Sequence, residues 1–292
     1  MNKYIFISFL SILCVTNCGL KGKKDSLITI KTKYGEMKAI LFDDTPKHKE
    51  NFIKLAQEHF FDSLLFHRVI DGFMIQGGDP TSKNAPPNTH LGTGGPGYTI
   101  DAEIRPNHFH QKGALSAARL GDQQNPEKKS SGSQFYVVQG SVLNKEQIDN
   151  LQYNQNLLMT GLRTMFEKPE NKDLLDSLNQ LYLSNDMDAY QNRIIGLAPR
   201  VERETGLQVF KPISEERKKL YSTVGGSPHL DNEYTVFGQI ISGLDVIDKI
   251  AKVAKDDSDR PIEDITMTVT VEEISRKKIT KEYGYVYPAV EK

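Results

Sequence analysis

Cysteine is almost missing from this chain. Its 292 residues include two, Cys14 and Cys18, both at the extreme N-terminus. The remainder therefore has no thiol for a disulfide, a thiolate metal site or a nucleophile, which excludes cysteine–histidine proteases and zinc-thiolate folds. An excess of charge of one sign is missing too: 37 lysines and arginines stand against 38 acidic residues, a formal net charge of -1. Such a balance leaves no electrostatic footprint for nucleic acid or for an anionic membrane surface. The apolar run from Tyr4 to Val15 falls short of the roughly 20 residues that a transmembrane helix needs.

That run does fit a secretory signal, with Lys3 ahead of it and a patch of small residues behind it. Its end, Val15-Thr16-Asn17-Cys18, is similar to the bacterial lipobox, although Asn17 replaces the usual small residue before the cysteine. Residues 1–18 are thus expected to be a signal peptide whose Cys18 is lipidated, with an uncleaved anchor or a plain signal as alternatives. Residues 19–26 are polar and read as a tether. The expected location is the cell envelope, lipid-anchored and facing the periplasm or the outside.

Beyond Leu27 the chain opens with strands. Leu27–Lys31 and Glu36–Phe42 flank Lys33-Tyr34-Gly35, a hairpin pattern closed by a glycine turn. Thr45-Pro46 reads as a cap followed by proline at the first helical position, and Phe52, Leu55, Ala56 and Phe60 keep helical spacing to about His59. From Leu65 to Gln139, short apolar segments alternate with glycine- and proline-rich loops, the texture of a sandwich or a closed antiparallel barrel. The texture then changes. Ile148, Leu151, Leu158, Leu162 and Met165 recur at helical spacing, Pro169-Glu170-Asn171 interrupts them, and Leu174, Leu175, Leu178 and Leu181 form a second stripe. A weaker third stretch runs from Tyr190 to Leu197. Strand character returns at Tyr234–Ile240 and Ile265–Ile274, with a short helix between at about Leu244–Val253. A helical block between two β regions predicts an insertion.

Several small motifs have bland readings. Gly92-Thr93-Gly94-Gly95-Pro96-Gly97 lacks the lysine and the following helix of a phosphate loop, which leaves a flexible loop. His108 and His110 lack a further nearby metal ligand and read as part of a solvated loop. Asp256-Asp257-Ser258-Asp259 has neither the central glycine nor the closing glutamate of an EF-hand. Neither a metal nor a cofactor is expected.

The segment Phe66-His67-Arg68-Val69-Ile70-Asp71-Gly72-Phe73-Met74-Ile75-Gln76-Gly77-Gly78-Asp79 closely resembles the signature of the cyclophilin family, Phe-His-Arg-x-Ile-x-Gly-Phe-x-x-Gln-Gly-Gly-Asp. Gly132-Ser133-Gln134-Phe135-Tyr136 is similar to the family's Gly-Ser-Gln-Phe-Phe, and Leu230-Asp231 with Val236-Phe237-Gly238 to its later blocks. The resemblance implies a mainly β fold, a closed eight-stranded antiparallel barrel capped by two helices, here with an inserted α-helical subdomain. Residues 27–140 and 227–276 would form the barrel, residues 141–226 the insertion, and residues 277–292 a tail.

The resemblance also implies peptidyl-prolyl cis/trans isomerase activity. Arg68 falls on the family's catalytic arginine, and Gln76 is placed beside it as the residue that orients the guanidinium or the substrate carbonyl. Phe73, Met74, Gln134, Tyr136 and Leu230 fall on groove residues that bind the substrate. Ala118 matches a groove alanine, Arg119 replaces an asparagine, His229 stands where a tryptophan often stands, and Tyr234 where a histidine is common. The tryptophan replacement is expected to weaken binding of cyclosporin. The Tyr136 hydroxyl needs a partner if it is buried. His67 points away from Arg68 by strand alternation and reads as a hydrogen-bonded core histidine. The expected substrates are proline-containing segments of exported proteins. The alternative is a weakly active binding module or chaperone that recognises clients through the helical insertion. Excision of residues 144–221 is expected to spare short peptides and to lower activity on protein clients. Oligomeric state is open, because the apolar stripes suit self-packing and dimerisation equally.

Overall fold

The computed structural model describes residues 22–288; the signal and lipidation expectations on residues 1–18 lie outside them. The first hairpin pairs β1 (Lys24–Thr32) with β2 (Gly35–Leu41), so β1 takes in residues 24–26 of the segment read as a tether. Then follow α1 (Pro46–Gln57), β3 (Phe66–Ile70), β4 (Met74–Gly77), the short β5 (Thr99–Ile100), β6 (Ala114–Ala117), the short β7 (Ser130–Ser131) and β8 (Phe135–Val138). Six helices come next: α2 (Lys145–Asn150), α3 (Gln155–Phe166), α4 (Lys172–Leu183), α5 (Met187–Gly196), α6 (Ala198–Thr205) and α7 (Glu215–Thr223). The chain ends with β9 (Val236–Ser242), α8 (Leu244–Ala251), β10 (Thr268–Ser275) and α9 (Arg276–Tyr283).

Eight strands form one antiparallel sheet in the order β10-β1-β2-β9-β6-β8-β4-β3, and β5 pairs with β7 apart from it. The strand number matches the expectation, but the closed barrel does not. The sheet is a curled, open half-barrel whose edge strands β3 and β10 share no ladder. The physical reason lies in register. β3 is short and shifts register between Phe66 and Arg68, while all of β10 is committed to β1, with Thr268 opposite Lys31 and Ser275 opposite Lys24. The two edges meet at the start of β3 and in the chain ahead of β10, where Leu65 and Thr266 form an isolated bridge and Phe66 N donates to Ile265 O at 2.9 Å. Helical content is also larger than two caps: nine α-helices occur among the described residues, and α9 lies in the stretch read as a tail.

The inner face of the sheet and helices α1 and α8 enclose the main core, including Ile28, Ile30, Phe52, Phe61, Phe66, Val69, Ile75, Phe135, Val137 and Phe237. Phe52 packs tilted on Phe61 at 4.8 Å and edge-on to Phe135 at 5.4 Å between ring centroids. Each such buried side chain contributes about 1.5–3 kcal/mol. Pro46 does open α1, but Thr45 makes no capping bond; its hydroxyl donates to the Phe42 carbonyl instead. The first N–H groups of α1 are capped from a distance by Glu103, which accepts from the Lys47 and His48 backbones.

Between β8 and β9 the helices divide into two parts. Helices α3 to α6 bury a core of their own, built from Leu158, Leu162, Met165, Leu178, Ile194, Val201 and Val209. They leave through a narrow neck in which Asn154 N donates to Val209 O at 2.7 Å and Lys211 N to Gln152 O at 2.6 Å. Helices α2 and α7 pack on each other, and a second crossing, Ser141 with Gly226, brings the two ends of the segment together. Gly226 is required there: its φ is +149°, and a Cβ would lie 2.2 Å from the His110 carbonyl oxygen.

Candidate functional site

The outer face of the sheet is partly apolar as well, and β4, β6 and β8 carry hydrophobic side chains on both faces. In register, Arg68 of β3 lies opposite Gln76 of β4, Gln76 opposite Tyr136 of β8, and Tyr136 opposite Ser116 of β6. Directly opposed residues share a face. This row therefore runs across four strands, and alternation adds Ile70, Met74 and Val138 to the same side. Phe73 sits in the β3–β4 turn, where Gly72 has φ +75° and donates its N–H to the Gln139 side chain at 2.7 Å. Leu230 arrives from a 3-10 turn, Pro228–Leu230.

Together these residues line a cavity of about 190 Å³ whose walls are Arg68, Phe73, Met74, Gln76, Ala118, Arg119, Tyr136, Leu230 and Tyr234. Gln134 stands behind this wall. Its amide donates to the carbonyls of Gly92 at 3.0 Å and Gly94 at 2.7 Å, and its oxygen accepts from Gln76 at 3.0 Å. His229 stands on the far side of Phe73, ring centroids 5.4 Å apart, and faces a separate groove. Burial lowers the pKa of His229 below the ordinary imidazole value.

The two arginines differ in freedom. Arg119 is locked: Nε donates to Glu233 O at 3.0 Å, Nη1 to Asp122 at 2.6 Å, and the guanidinium lies 4.3 Å from the Tyr234 ring centroid. Arg68 is partly exposed, and its nearest carboxylate, Asp259, is 3.8 Å away. Its donors are free to meet a ligand. Tyr136 is buried, and burial raises its phenol well above the ordinary value, so the hydroxyl keeps its proton.

The glycine loop is tied to the site. Asp79 accepts from Thr81 N, from the Thr81 hydroxyl, and from Gly92 N and Gly94 N. Burial alone would raise the Asp79 pKa, yet these donors together lower it. Two expectations for histidines need correction. His108 and His110 are not a solvated pair: His108 stacks on Phe42 at 4.1 Å and bonds Asp44 at 2.7 Å, and His110 is fully buried. His67 is buried as expected, but neither ring nitrogen has a hydrogen-bond partner among the described residues. No group of three metal-ligating side chains occurs among the described residues.

A protein-family model described as cyclophilin type peptidyl-prolyl cis-trans isomerase/CLD matches residues 27–195 and 215–272. The chain belongs to this family. This cyclophilin is accordingly a peptidyl-prolyl cis-trans isomerase, a catalyst of rotation about X-Pro amides. It is 32% identical over 244 residues to a protein of Staphylococcus haemolyticus named as a peptidyl-prolyl cis-trans isomerase, covering 82% of this chain and 87% of that one. A Staphylococcus aureus protein of the same name is 32% identical over 251 residues, covering 84% and 91%. A Streptococcus pyogenes protein named as a bifunctional phosphatase and peptidyl-prolyl cis-trans isomerase is 31% identical over 244 residues; the match spans 82% of this cyclophilin and 37% of that protein. A crystal structure of a cyclophilin type isomerase from Cryptosporidium parvum aligns with 20% identity and a TM-score of 0.48, covering 86% of this chain and 98% of that one.

The sequence did not point to His110, Arg217 and Tyr221 as neighbours of the cavity. The one available signal was chemical. A tyrosine in place of phenylalanine at a pocket floor demands a partner for its hydroxyl, and the fold supplies His110 at 3.0 Å.

Proposed function

We propose that the cavity holds the proline ring of an X-Pro segment and that Arg68 stabilises the twisted amide. The observation that carries this reading is the row Arg68–Gln76–Tyr136, with a free guanidinium at one end and the apolar side chains Phe73, Met74 and Leu230 beside it. Rotation of the amide costs about 18–20 kcal/mol because the nitrogen lone pair is delocalised into the carbonyl. In the twisted state that pair returns to a pyramidal nitrogen. A cationic donor beside the nitrogen then stabilises the transition state more than the planar ground state. Gln76, held by Gln134, is placed to orient the guanidinium or the carbonyl that turns. No bond to the substrate is made or broken.

The test is isomerisation of a short X-Pro peptide by the parent and by Arg68→Ala. The variant is expected to lose about 100-fold in kcat/KM, the usual effect of removing one preorganised donor. Arg68→Lys should recover only part, because an ammonium lacks the planar fork. A rate for Arg68→Ala within a factor of about two of the parent refutes the assignment.

The proposed substrates are proline-containing segments of exported proteins, reached by an enzyme anchored to the cell envelope through Cys18. Support comes from the Lys3-led apolar run and its Val15-Thr16-Asn17-Cys18 end. Labelled palmitate should enter the full-length protein in a bacterial host and be absent from Cys18→Ser. Equal labelling of both would remove the anchor. The chaperone alternative draws support from Tyr182 and Leu183, exposed side by side at the end of α4 in the part of the segment farthest in sequence from either neck.

A further inference from the structure

Behind the floor of the cavity a buried chain of hydrogen bonds leads to the helical segment. Tyr136 Oη lies 3.0 Å from His110 Nε2, with the two rings nearly parallel at 13°. His110 Nδ1 lies 3.1 Å from Asp231 Oδ1, and the His110 backbone N–H donates to the same oxygen at 2.8 Å. Asp231 also accepts from the Tyr221 hydroxyl at 2.8 Å and from Arg217, whose Nε and Nη2 lie 2.9 Å and 2.8 Å from Oδ2. Arg217 and Tyr221 are four residues apart on α7, hence on one face of that helix.

The direction of the bonds follows from the partners. A carboxylate only accepts, so His110 carries its proton on Nδ1 and offers the Nε2 lone pair to the Tyr136 hydroxyl. Asp231 is nearly without contact to water, and its charge is offset by the Arg217 fork, the arrangement a buried carboxylate requires. Burial and the neighbouring Asp231 raise the Tyr221 pKa, which keeps that hydroxyl a donor. Both ring nitrogens of His110 and both carboxylate oxygens of Asp231 are thereby used.

We infer that His110 is a positioning residue that fixes the Tyr136 phenol in the pocket floor, and that Arg217 and Tyr221 hold His110 in place through Asp231. The helical segment is then part of the pocket's support and not a passive appendage. The inference rests on the reading of the cavity as the proline site. If His110 is removed, the phenol loses its acceptor at 3.0 Å, and it turns either towards Ser116 opposite it, whose hydroxyl has no partner among the described residues, or towards the cavity. Either response weakens the grip on the proline ring, with its main effect on KM.

A double-mutant cycle separates this positioning from a general structural role. His110→Leu and Tyr221→Phe are made in the parent and in the Tyr136→Phe background, and a short X-Pro peptide is the substrate. In the parent, His110→Leu should raise KM about fivefold and Tyr221→Phe about twofold. In the Tyr136→Phe background both increases should shrink to less than about half, because no hydroxyl remains to be held. Equal fold-changes in the two backgrounds overturn the inference, as does an unchanged KM for His110→Leu in the parent. Tyr221→Phe keeps its ring and the Arg217 ion pair, so it serves if His110→Leu does not fold. Arg68→Ala is measured alongside. Loss of activity there, with background-independent His110 effects, sinks the positioning role alone; full activity there sinks the reading of the cavity.

Discussion

Replacing His67 by leucine should flatten the acid side of the stability profile. The imidazole is buried in β3 with no hydrogen-bond partner on either nitrogen among the described residues, and burial depresses its pKa from 6.5 to about 4. The sign follows directly. Below pH 6.5 the unfolded chain takes up a proton that the folded chain refuses, so stability falls as pH drops from 6.5 towards about 4 and then levels off. Above that window the group contributes nothing to the slope. At about 1.36 kcal/mol per unit, a depression of some 2.5 units corresponds to about 3 kcal/mol across the window. The carboxylates titrate in both proteins and cancel in the difference. Urea unfolding of the two proteins at about pH 7.5 and about pH 4.5 measures it. His67→Leu should be as stable as the parent or more so at the higher pH, because two unpaired nitrogens are removed without breaking a bond. At the lower pH it should lead by a further 2–3 kcal/mol or so. Parallel profiles for the two proteins would refute the reasoning.

Gly226→Ala should cost about 2–4 kcal/mol, since the new Cβ meets the His110 carbonyl and the backbone is in a region that favours glycine; an unchanged melting temperature would contradict the close crossing of Ser141 with Gly226. Replacing residues 153–210 by a short glycine turn should leave kcat/KM on a short X-Pro peptide within about twofold, because that stretch carries its own core and leaves through the Gln152–Lys211 contact. Excision of residues 144–221 should instead raise KM, against the expectation from sequence, since it removes Arg217 and Tyr221 from Asp231. Similar KM values for the two excisions would count against the support role. Refolding of a proline-limited client by the shorter excision tests the chaperone alternative, which requires a loss there.

Much of the fold was legible because its signals are local. The hairpin around Lys33-Tyr34-Gly35, the proline start of α1 and the leucine stripes of α3 and α4 each rest on a few neighbouring residues, and all appear near their expected places. The C-terminal helix α9 escaped because its outward face is charged and its apolar contacts, Ile279 with Tyr283, are few. Sheet closure escaped for a different reason: it depends on how many residues β3 and β10 can spare for each other, and no local pattern encodes that competition.

The site divides in the same way. The sequence by itself placed Arg68, Gln76 and Tyr136 within two short motifs, and strand alternation put His67 opposite Arg68. Residue type and period are sufficient for that. Only the tertiary structure decided that Gln134 and His229 stand outside the cavity wall, that Arg119 is locked while Arg68 is free, and that Tyr136 leans on His110, Asp231 and a helix more than eighty residues further along. Those relations join residues distant in the chain through single hydrogen bonds. Such a bond changes no composition and no periodicity, and so it becomes visible only once the chain has folded.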